Sequence, residues 1–319
     1  MNKEFDVVIV GAGPAGLTAS IYCSCFHLSH IVIGKIIGGQ MTMAPDILNY
    51  PGFAQISGVA LTSQMVEQAK GRGGDVVEGL VVTVEKTESG FSVKTENGNM
   101  YQAKALVLAT GMERRKLNVP GEMQYASKGV HYCATCERQD YEEKTVAVIG
   151  GGNAAAQSAV QLAHAATNVL VLCRGAEFRC DAVWTEQIRQ YKNIQIFYNT
   201  NIKEIFGDGQ KVTGLTIASA NQEQKVSVDK VFIEIGGVPG TALVSPIGVE
   251  MDAGGFINVD EKLATNVPGV FAAGDLVSYG LSIEQISTAV GLGARAAASV
   301  FSYLKQQKAP TSWGQALIK

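Results

Sequence analysis

The stretch FDVVIVGAGPAGLTASIYCSC, residues 5–25, decides how this chain is read. Its first six residues form an apolar run of the kind buried in a parallel sheet. Gly11, Ala12, Gly13, Pro14, Ala15 and Gly16 follow without a spacer, and residues 17–25 read as a helix. HIVI, residues 30–33, supplies a second strand. The glycines therefore sit in the strand, turn, helix, strand context that a dinucleotide-binding fingerprint requires. The underlying chemistry is that of an anion at a helix N-terminus, where backbone N–H groups and the positive end of the helix dipole meet a phosphate. Side chains at Gly11 and Gly13 would block that approach, and Gly16 lets helix and strand pack closely. The fingerprint also expects an acid about 20 residues on, for the ribose. The second strand instead ends in Gly34 and Lys35, which leaves the ribose to backbone, water or Lys35.

The same succession recurs in KTVAVIGGGNAAAQSAVQLAHAATNVLVLCRG, residues 144–175. Gly150, Gly152 and Ala155 repeat the fingerprint, with alanine in the third place, which the motif tolerates. Between the two turns, residues 80–100 alternate in polarity around ESG and NG and read as antiparallel hairpins. KALVLATG (104–111) returns to a buried strand. Residues 202–237 repeat the hairpins and the strand, GVFAAGD (269–275) adds a last strand, and about 283–305 reads as a long helix. RRKLNVPGE and GGVPGTALVSPIG have the Pro/Gly composition of crossing segments. The expected fold is α/β, with two Rossmann-like, three-layer ββα nucleotide-binding domains, the second inserted in the first. The first takes residues 1–114 and 244–319, the second 115–243.

Composition narrows the function. Glycine supplies 36 of 319 residues without a Gly-X-Y period, against a usual share of roughly 7%, which suits tight turns and close approach of backbone to ligand. An apolar fraction of 46% beside 17% charged residues excludes a disordered chain. A net charge of -3 and the lack of a basic run argue against nucleic acid or an anionic membrane as partner. No apolar stretch reaches the roughly 18 residues of a bilayer span. The N-terminal apolar run is too short for a secretory signal and follows Asp6. Six cysteines are too few for a secreted disulfide scaffold, and the expected location is the cytoplasm.

VHYCATCERQ, residues 130–139, holds Cys133 and Cys136. In a cytoplasmic chain such a pair is more often catalytic or metal-binding than structural. Zinc needs four ligands, and neither the remaining cysteines nor the four histidines have metal spacing, so no metal is expected. Cys23 and Cys25 fall in the first helix and read as core thiols; Cys173 and Cys180 read as structural or incidental. The polar surroundings of Cys133 and Cys136 suit an exposed redox couple, in which one sulfur attacks a partner disulfide and the other resolves the mixed disulfide. Glu137 is placed to protonate a leaving thiolate. His131 reads either as a group that lowers a thiol pKa or as a loop residue without a chemical role.

With these pieces together the chain resembles the low-molecular-weight thioredoxin reductases, flavoproteins of the pyridine-nucleotide disulfide oxidoreductase group. The likeness covers nearly the whole chain and rests on GAGPAG (11–16), GGQ (38–40), NYPG (49–52), ATG (109–111), CATC (133–136), GGGNAA (150–155) and GVFAAGD (269–275), in the family's order. The resemblance implies FAD in the discontinuous domain. Gly11, Gly13, Pro14, Ala15 and Gly16 would hold its pyrophosphate, and Gly39, Gln40 and Asn49 would lie along the flavin. Ala109, Thr110 and Gly111 would pass near it, Gly274 and Asp275 would reach the ribityl chain, and Gln285 the isoalloxazine. It implies NADPH at Gly151, Gly152, Asn153, Ala154, Arg174 and Arg179. Electrons would run from NADPH through FAD and the Cys133–Cys136 pair, with Cys136 facing the flavin, to a thioredoxin disulfide. Glu137 stands where the family has Asp, and the working protein would be a homodimer.

Three departures stand out, one of them Glu284, where the family usually has an arginine before Gln285. The family's NADPH signature reads His-Arg-Arg, two residues, Phe-Arg, whereas this chain has CRGAEFR with Gly175 in the middle arginine's place. The tail carries Trp313, which could cover the flavin or be a loose or interface segment. The alternatives are a related flavoenzyme with another donor (ferredoxin, NADH or a second flavin), a dithiol oxidase, and a non-catalytic flavin-binding scaffold, which would have no use for vicinal thiols.

Overall fold

The computed structural model describes residues 3–44, 47–132, 134, 141–219, 222–278 and 284–310. Cys133, Cys136, Glu137 and Trp313 lie outside the described residues. The chain divides into two units. One comprises Met1–Ala44, Tyr50–Glu113 and Val238–Lys319; the other comprises Pro45–Asn49 and Arg114–Gly237.

The first unit opens with β1 (Lys3–Val10), α1 (Pro14–Cys25), β2 (His30–Gly34), α2 (Gly58–Gly71) and β3 (Asp75–Glu78). Next come β4 (Val81–Thr87), β5 (Gly90–Thr95) and β6 (Met100–Leu108), and β7 (Met112–Arg114) leads out. The second unit holds β8 (Val130–His131), β9 (Thr145–Ile149), α3 (Asn153–Ala163), β10 (Asn168–Leu172), α4 (Ala182–Gln190) and β11 (Ile194–Phe197). It continues with β12 (Asn201–Gly207), β13 (Val212–Ser219), β14 (Gln222–Ser227) and β15 (Lys230–Ile233). β16 (Gly237–Pro239) leads back and pairs with β7. β17 (Ile257–Asn258), β18 (Val270–Ala272), β19 (Val277–Ser278) and α5 (Ile286–Lys305) complete the first unit.

In the first unit the sheet runs β3-β2-β1-β6-β5-β4, with β18 also on β6. β1 is parallel to both β2 and β6. On its far side β6 serves two partners. Residues Met100–Ala103 pair antiparallel with β5, whereas Leu106–Leu108 pair parallel with β18. The sequence explains the split, because Ala105–Leu108 are apolar throughout and fully buried, as a strand covered on both faces must be. β4 and β5 instead mix buried and exposed positions, as one-sided hairpin strands do. Helices α1 and α5 approach closely through small residues: a Cβ on Gly293 would stand 2.2 Å from the Ala15 carbonyl oxygen. α2, which the sequence reading passes over, starts at Ser57, whose Oγ accepts from Ala60 N at 3.1 Å and so caps it.

The last helix begins at Ile286, with extended Gln285 as its N-cap. One expectation is corrected in this unit. Cys25 is exposed and not a core thiol, because residues two apart face different sides of a helix. Cys23 is fully buried, and burial pushes its thiol up to about 12.

The second unit has a five-stranded parallel sheet, β11-β10-β9-β15-β8, and a separate antiparallel sheet, β12-β13-β14. The apolar runs of β9 and β10 (TVAVI and NVLVL) fill its centre, with Val146–Val148 fully buried.

Candidate functional site

In each sheet the central strand has its sequence successor on one side and a later strand on the other. That reversal opens a crevice at the carboxyl ends of the strands, where ligands of such sheets bind. In the first unit the crevice falls between β1 and β6. Gly11 follows β1 with φ of 111°, and a Cβ there would stand 2.1 Å from the Ala109 carbonyl oxygen. A Cβ on Gly16 would stand 1.9 Å from the Gly11 carbonyl oxygen, whereas Gly13 has nothing within 4 Å of that position. Gly13 is the N-cap of α1, makes no side-chain cap, and is followed by Pro14 at the first helical position. The helix start thus presents backbone N–H groups without a capping side chain across open space. Such a cradle fits a pyrophosphate.

Other expected residues gather at the same strand ends. The 3-10 turn Gly39–Met43 brings Gly39 to the first turn, its Cβ position 3.3 Å from Gly13 Cα, and Gly38 N donates to Ala12 O at 2.8 Å. Gln40 Nε2 donates to the Met112 carbonyl. Ala109 N donates to Val10 O at 2.7 Å, and Thr110 Oγ1 to Gly240 O at 2.8 Å, with Gly111 next. Gly274 faces Ala15, whose Cβ is 3.1 Å from its own Cβ position, and half-buried Asp275 follows. Asn49 belongs to Pro45–Asn49, which groups with the second unit, and Gln285 caps α5. Gly34, where the acid was missing, has a structural reason. A Cβ there would meet Ala12 Cβ at 2.5 Å and Ala12 N at 2.6 Å, so the turn itself fills the space.

The second unit repeats the crevice between β9 and β15. A Cβ on Gly150 would stand 2.2 Å from the Glu234 carbonyl oxygen, and one on Gly151 would stand 2.5 Å from Cys173 Sγ. Gly152 is the uncapped N-cap of α3, followed by exposed Asn153 and Ala154, and Ala155 is fully buried. The loop after β10 is strapped onto this turn. Arg179 N donates to Gly151 O at 2.6 Å. Asn153 accepts from Asp181 N at 2.8 Å and donates to Asp181 Oδ2 at 3.1 Å. Arg174 and Arg179 are exposed on that loop, and guanidinium donors there suit a phosphate.

The residues next to the two cysteines are held from several sides. His131 belongs to β8 and stacks on Phe232, ring centroids 5.3 Å apart. Tyr132 Oη donates to Glu122 Oε1 at 3.0 Å. Glu122, only 2% exposed, also accepts from Leu117 N at 3.1 Å and Asn118 N at 2.8 Å. Burial, and then the hydrogen bond and charge of Glu122, hold the Tyr132 hydroxyl above its ordinary range despite nearby Arg114, so it stays a donor. Ala134 is buried, and its carbonyl accepts from Gln161 Nε2 at 3.3 Å. Sequence reasoning missed Glu122, Gln161 and Asp181. A lone acid in an apolar crossing segment, VPGE, was the one signal for Glu122.

Among the described residues no group of His, Cys, Asp or Glu could hold a metal ion, and no helix is long and apolar enough to cross a membrane. Residues 5–293 match the family model described as pyridine nucleotide-disulphide oxidoreductase. The chain is 36% identical over 310 residues to a thioredoxin reductase of Listeria monocytogenes, covering 96% of each. It is 34% identical over 308 residues to one of Bacillus subtilis, again covering 96% of each. A solved thioredoxin reductase from Streptococcus pyogenes matches with a TM-score of 0.85 at 34% identity, over 96% of this chain and 100% of that one.

Proposed function

The chain belongs to the pyridine nucleotide-disulphide oxidoreductase family, and from that premise we propose that it is an FAD-dependent thioredoxin reductase, drawing on NADPH and acting through Cys133 and Cys136. The observation that carries the reading is the cradle of Gly11, Gly13 and Gly16, where backbone leaves no room for side chains and an uncapped helix start faces open space. Gly11, Gly13, Pro14, Ala15 and Gly16 hold the pyrophosphate of FAD. Gly39, Gln40, Asn49, Ala109, Thr110, Gly111, Gly274, Asp275 and Gln285 line the rest. A bound FAD would supply two-electron redox chemistry between a reduced nicotinamide and a disulfide. Gly151, Gly152, Asn153 and Ala154 hold the NADPH pyrophosphate, and Arg174 and Arg179 meet its 2′-phosphate.

The chemistry of the pair is thiol–disulfide exchange. One cysteine attacks the thioredoxin disulfide as a thiolate; a mixed disulfide forms, and one thioredoxin sulfur leaves. Glu137, adjacent to Cys136, gives that sulfur its proton. The second cysteine attacks the mixed disulfide, releasing the other thioredoxin sulfur and closing the Cys133–Cys136 bond. The same resemblance supports a homodimer working in the cytoplasm, which light scattering on the purified protein and cell fractionation check.

A second reading changes only the donor. Gly175, where the family carries an arginine, removes one guanidinium from the 2′-phosphate site and supports NADH or reduced ferredoxin in place of NADPH. Anaerobic stopped-flow separates the two: NADPH bleaches the yellow flavin on the first reading, whereas only NADH or ferredoxin does so on the second. Cys136→Ser should abolish thioredoxin reduction with the flavin retained, and an unimpaired variant would refute the chemistry assigned to the pair.

A further inference from the structure

Cys133 follows β8, an edge strand of two residues that by itself holds little of what comes after it. The chain on either side of Cys133 is nevertheless tethered, and to different elements. Before it, the Tyr132 hydroxyl donates to Glu122, whose carboxylate is fixed by the backbone N–H groups of Leu117 and Asn118. After it, Ala134 packs into the core cluster that includes Tyr141, Val148 and Phe232, and its carbonyl accepts from Gln161 on α3. Neither tether is part of the nucleotide cradle or of the exchange chemistry. A disulfide closes only within narrow limits of distance and torsion. A chain held on both flanks gives up less conformational freedom on closing, so its disulfide is the more stable.

Resting on the reading of Cys133 and Cys136 as a redox couple, we propose that Glu122, through Tyr132, and Gln161, through the Ala134 carbonyl, are positioning residues that set the dithiol–disulfide equilibrium of that couple. Burial and Glu122 keep the Tyr132 proton in place well above neutral pH, so the first tether persists across the working range.

The test uses the whole flavin-loaded protein equilibrated in glutathione buffers. Two thiols of the chain and one oxidised glutathione give the Cys133–Cys136 disulfide and two reduced glutathiones. Acid quenching, thiol trapping and mass analysis of the peptide containing both cysteines read the constant. Tyr132→Phe and Gln161→Met each delete one hydrogen bond and little volume. Each should lower the closure constant by about three- to tenfold, tenfold being about 30 mV for a two-electron couple. The double variant should show the product of the two effects. Glu122→Gln should lower the constant in the native background and add nothing to Tyr132→Phe; an additive effect would overturn the role given to Glu122. Thermal melting of each variant runs alongside, since a purely structural role moves the melting temperature and leaves the constant alone. Constants within roughly twofold of the native value in both Tyr132→Phe and Gln161→Met overturn the proposal. If Tyr132→Phe does not fold, Gln161→Met decides it alone. A native chain that forms no disulfide between 133 and 136 at any glutathione ratio sinks the redox couple itself and this inference with it; a native disulfide with unmoved variants sinks this inference only.

Discussion

At the end of β1 the Ala109 carbonyl oxygen stands 2.1 Å from where a Cβ on Gly11 would lie; at the end of β9 the Glu234 carbonyl oxygen stands 2.2 Å from the same point on Gly150. The agreement follows from topology. In both units the later strand of the sheet closes on the turn, and only glycine fits beneath its last carbonyl. The turns part company at the third position and at the neighbouring strand. Gly16 lies under the Gly11 carbonyl, whereas buried Ala155 fits in the second turn. The end of β2 packs on Ala12 through Gly34, whereas beyond the end of β10 the Cys173 sulfur packs on Gly151. The loop after the next strand straps both turns, the first through a backbone bond from Gly38 N to Ala12 O and the second also through the side chains of Asn153 and Asp181. Backbone geometry thus dictates the pyrophosphate cradle in both units, and the loop after the neighbouring strand decides what else each cradle recognises.

The largest expected effect is at Gly16. Gly16→Ala drives a methyl group into the Gly11 carbonyl, and overpacking of this kind costs about 1–3 kcal/mol, more where backbone must move. The variant should lose its flavin, read by absorbance, and melt several degrees lower; a yellow variant with the native melting point would break the comparison at its root. Next comes Gly175→Arg. A Cβ there would stand 3.3 Å from the Glu177 carbonyl oxygen, so the loop must give by a few tenths of an ångström to take the side chain. A restored charge-assisted hydrogen bond contributes about 1.5–3 kcal/mol, so NADPH should bind at least roughly tenfold more tightly, by calorimetric titration, with NADH unchanged. Asn153→Ala removes both bonds to Asp181, and at about 1 kcal/mol for a typical hydrogen bond coenzyme affinity should fall several-fold with flavin content untouched. Ala155→Gly should cost only about 0.5–1 kcal/mol of helix stability, in contrast to its counterpart Gly16.

The smallest effect concerns pH. His30 opens β2, and the equivalent first residue of β10 is Asn168, which does not titrate. Burial, opposed by the Leu28 carbonyl and Asp75, holds the His30 pKa below its ordinary 6.5. The folded chain therefore binds this proton more weakly than the unfolded one. The contribution of His30 to stability is intact above the unfolded value and is lost as pH falls from there through the folded value. Melting curves across this range should fall more steeply for the native chain than for His30→Gln; parallel curves would remove His30 from the account.

Both strand, glycine, helix and strand runs were legible because periodicity changes abruptly at Gly11 and Gly150, and local physics suffices to see it. The pattern could not explain the missing acid at Gly34, which answers to Ala12 more than twenty positions earlier in the chain. Nor could it separate Cys23 from Cys25, although their two-residue spacing already forbade both from facing the core. Glu122, Gln161 and Asp181 escaped because each acts on a partner 10 to 28 positions away, and tertiary contacts of that reach leave no local periodicity. Cys133 and Cys136 show the reverse. Their spacing declares them in the sequence, while in the structure it is Tyr132 and Ala134 that show how the chain beside them is held.

The pairing of β7 with β16 bears on how such a chain folds. Hydrogen bonds from Gly240 N to Gly111 O and from Arg115 N to Gly236 O bracket that ribbon. A nascent chain must bring β18 to β6 across everything in between, a slow search for so distant a pair. Once residues 114–237 have folded, their two ends stand side by side, and the closure entropy left to overcome is that of a short loop.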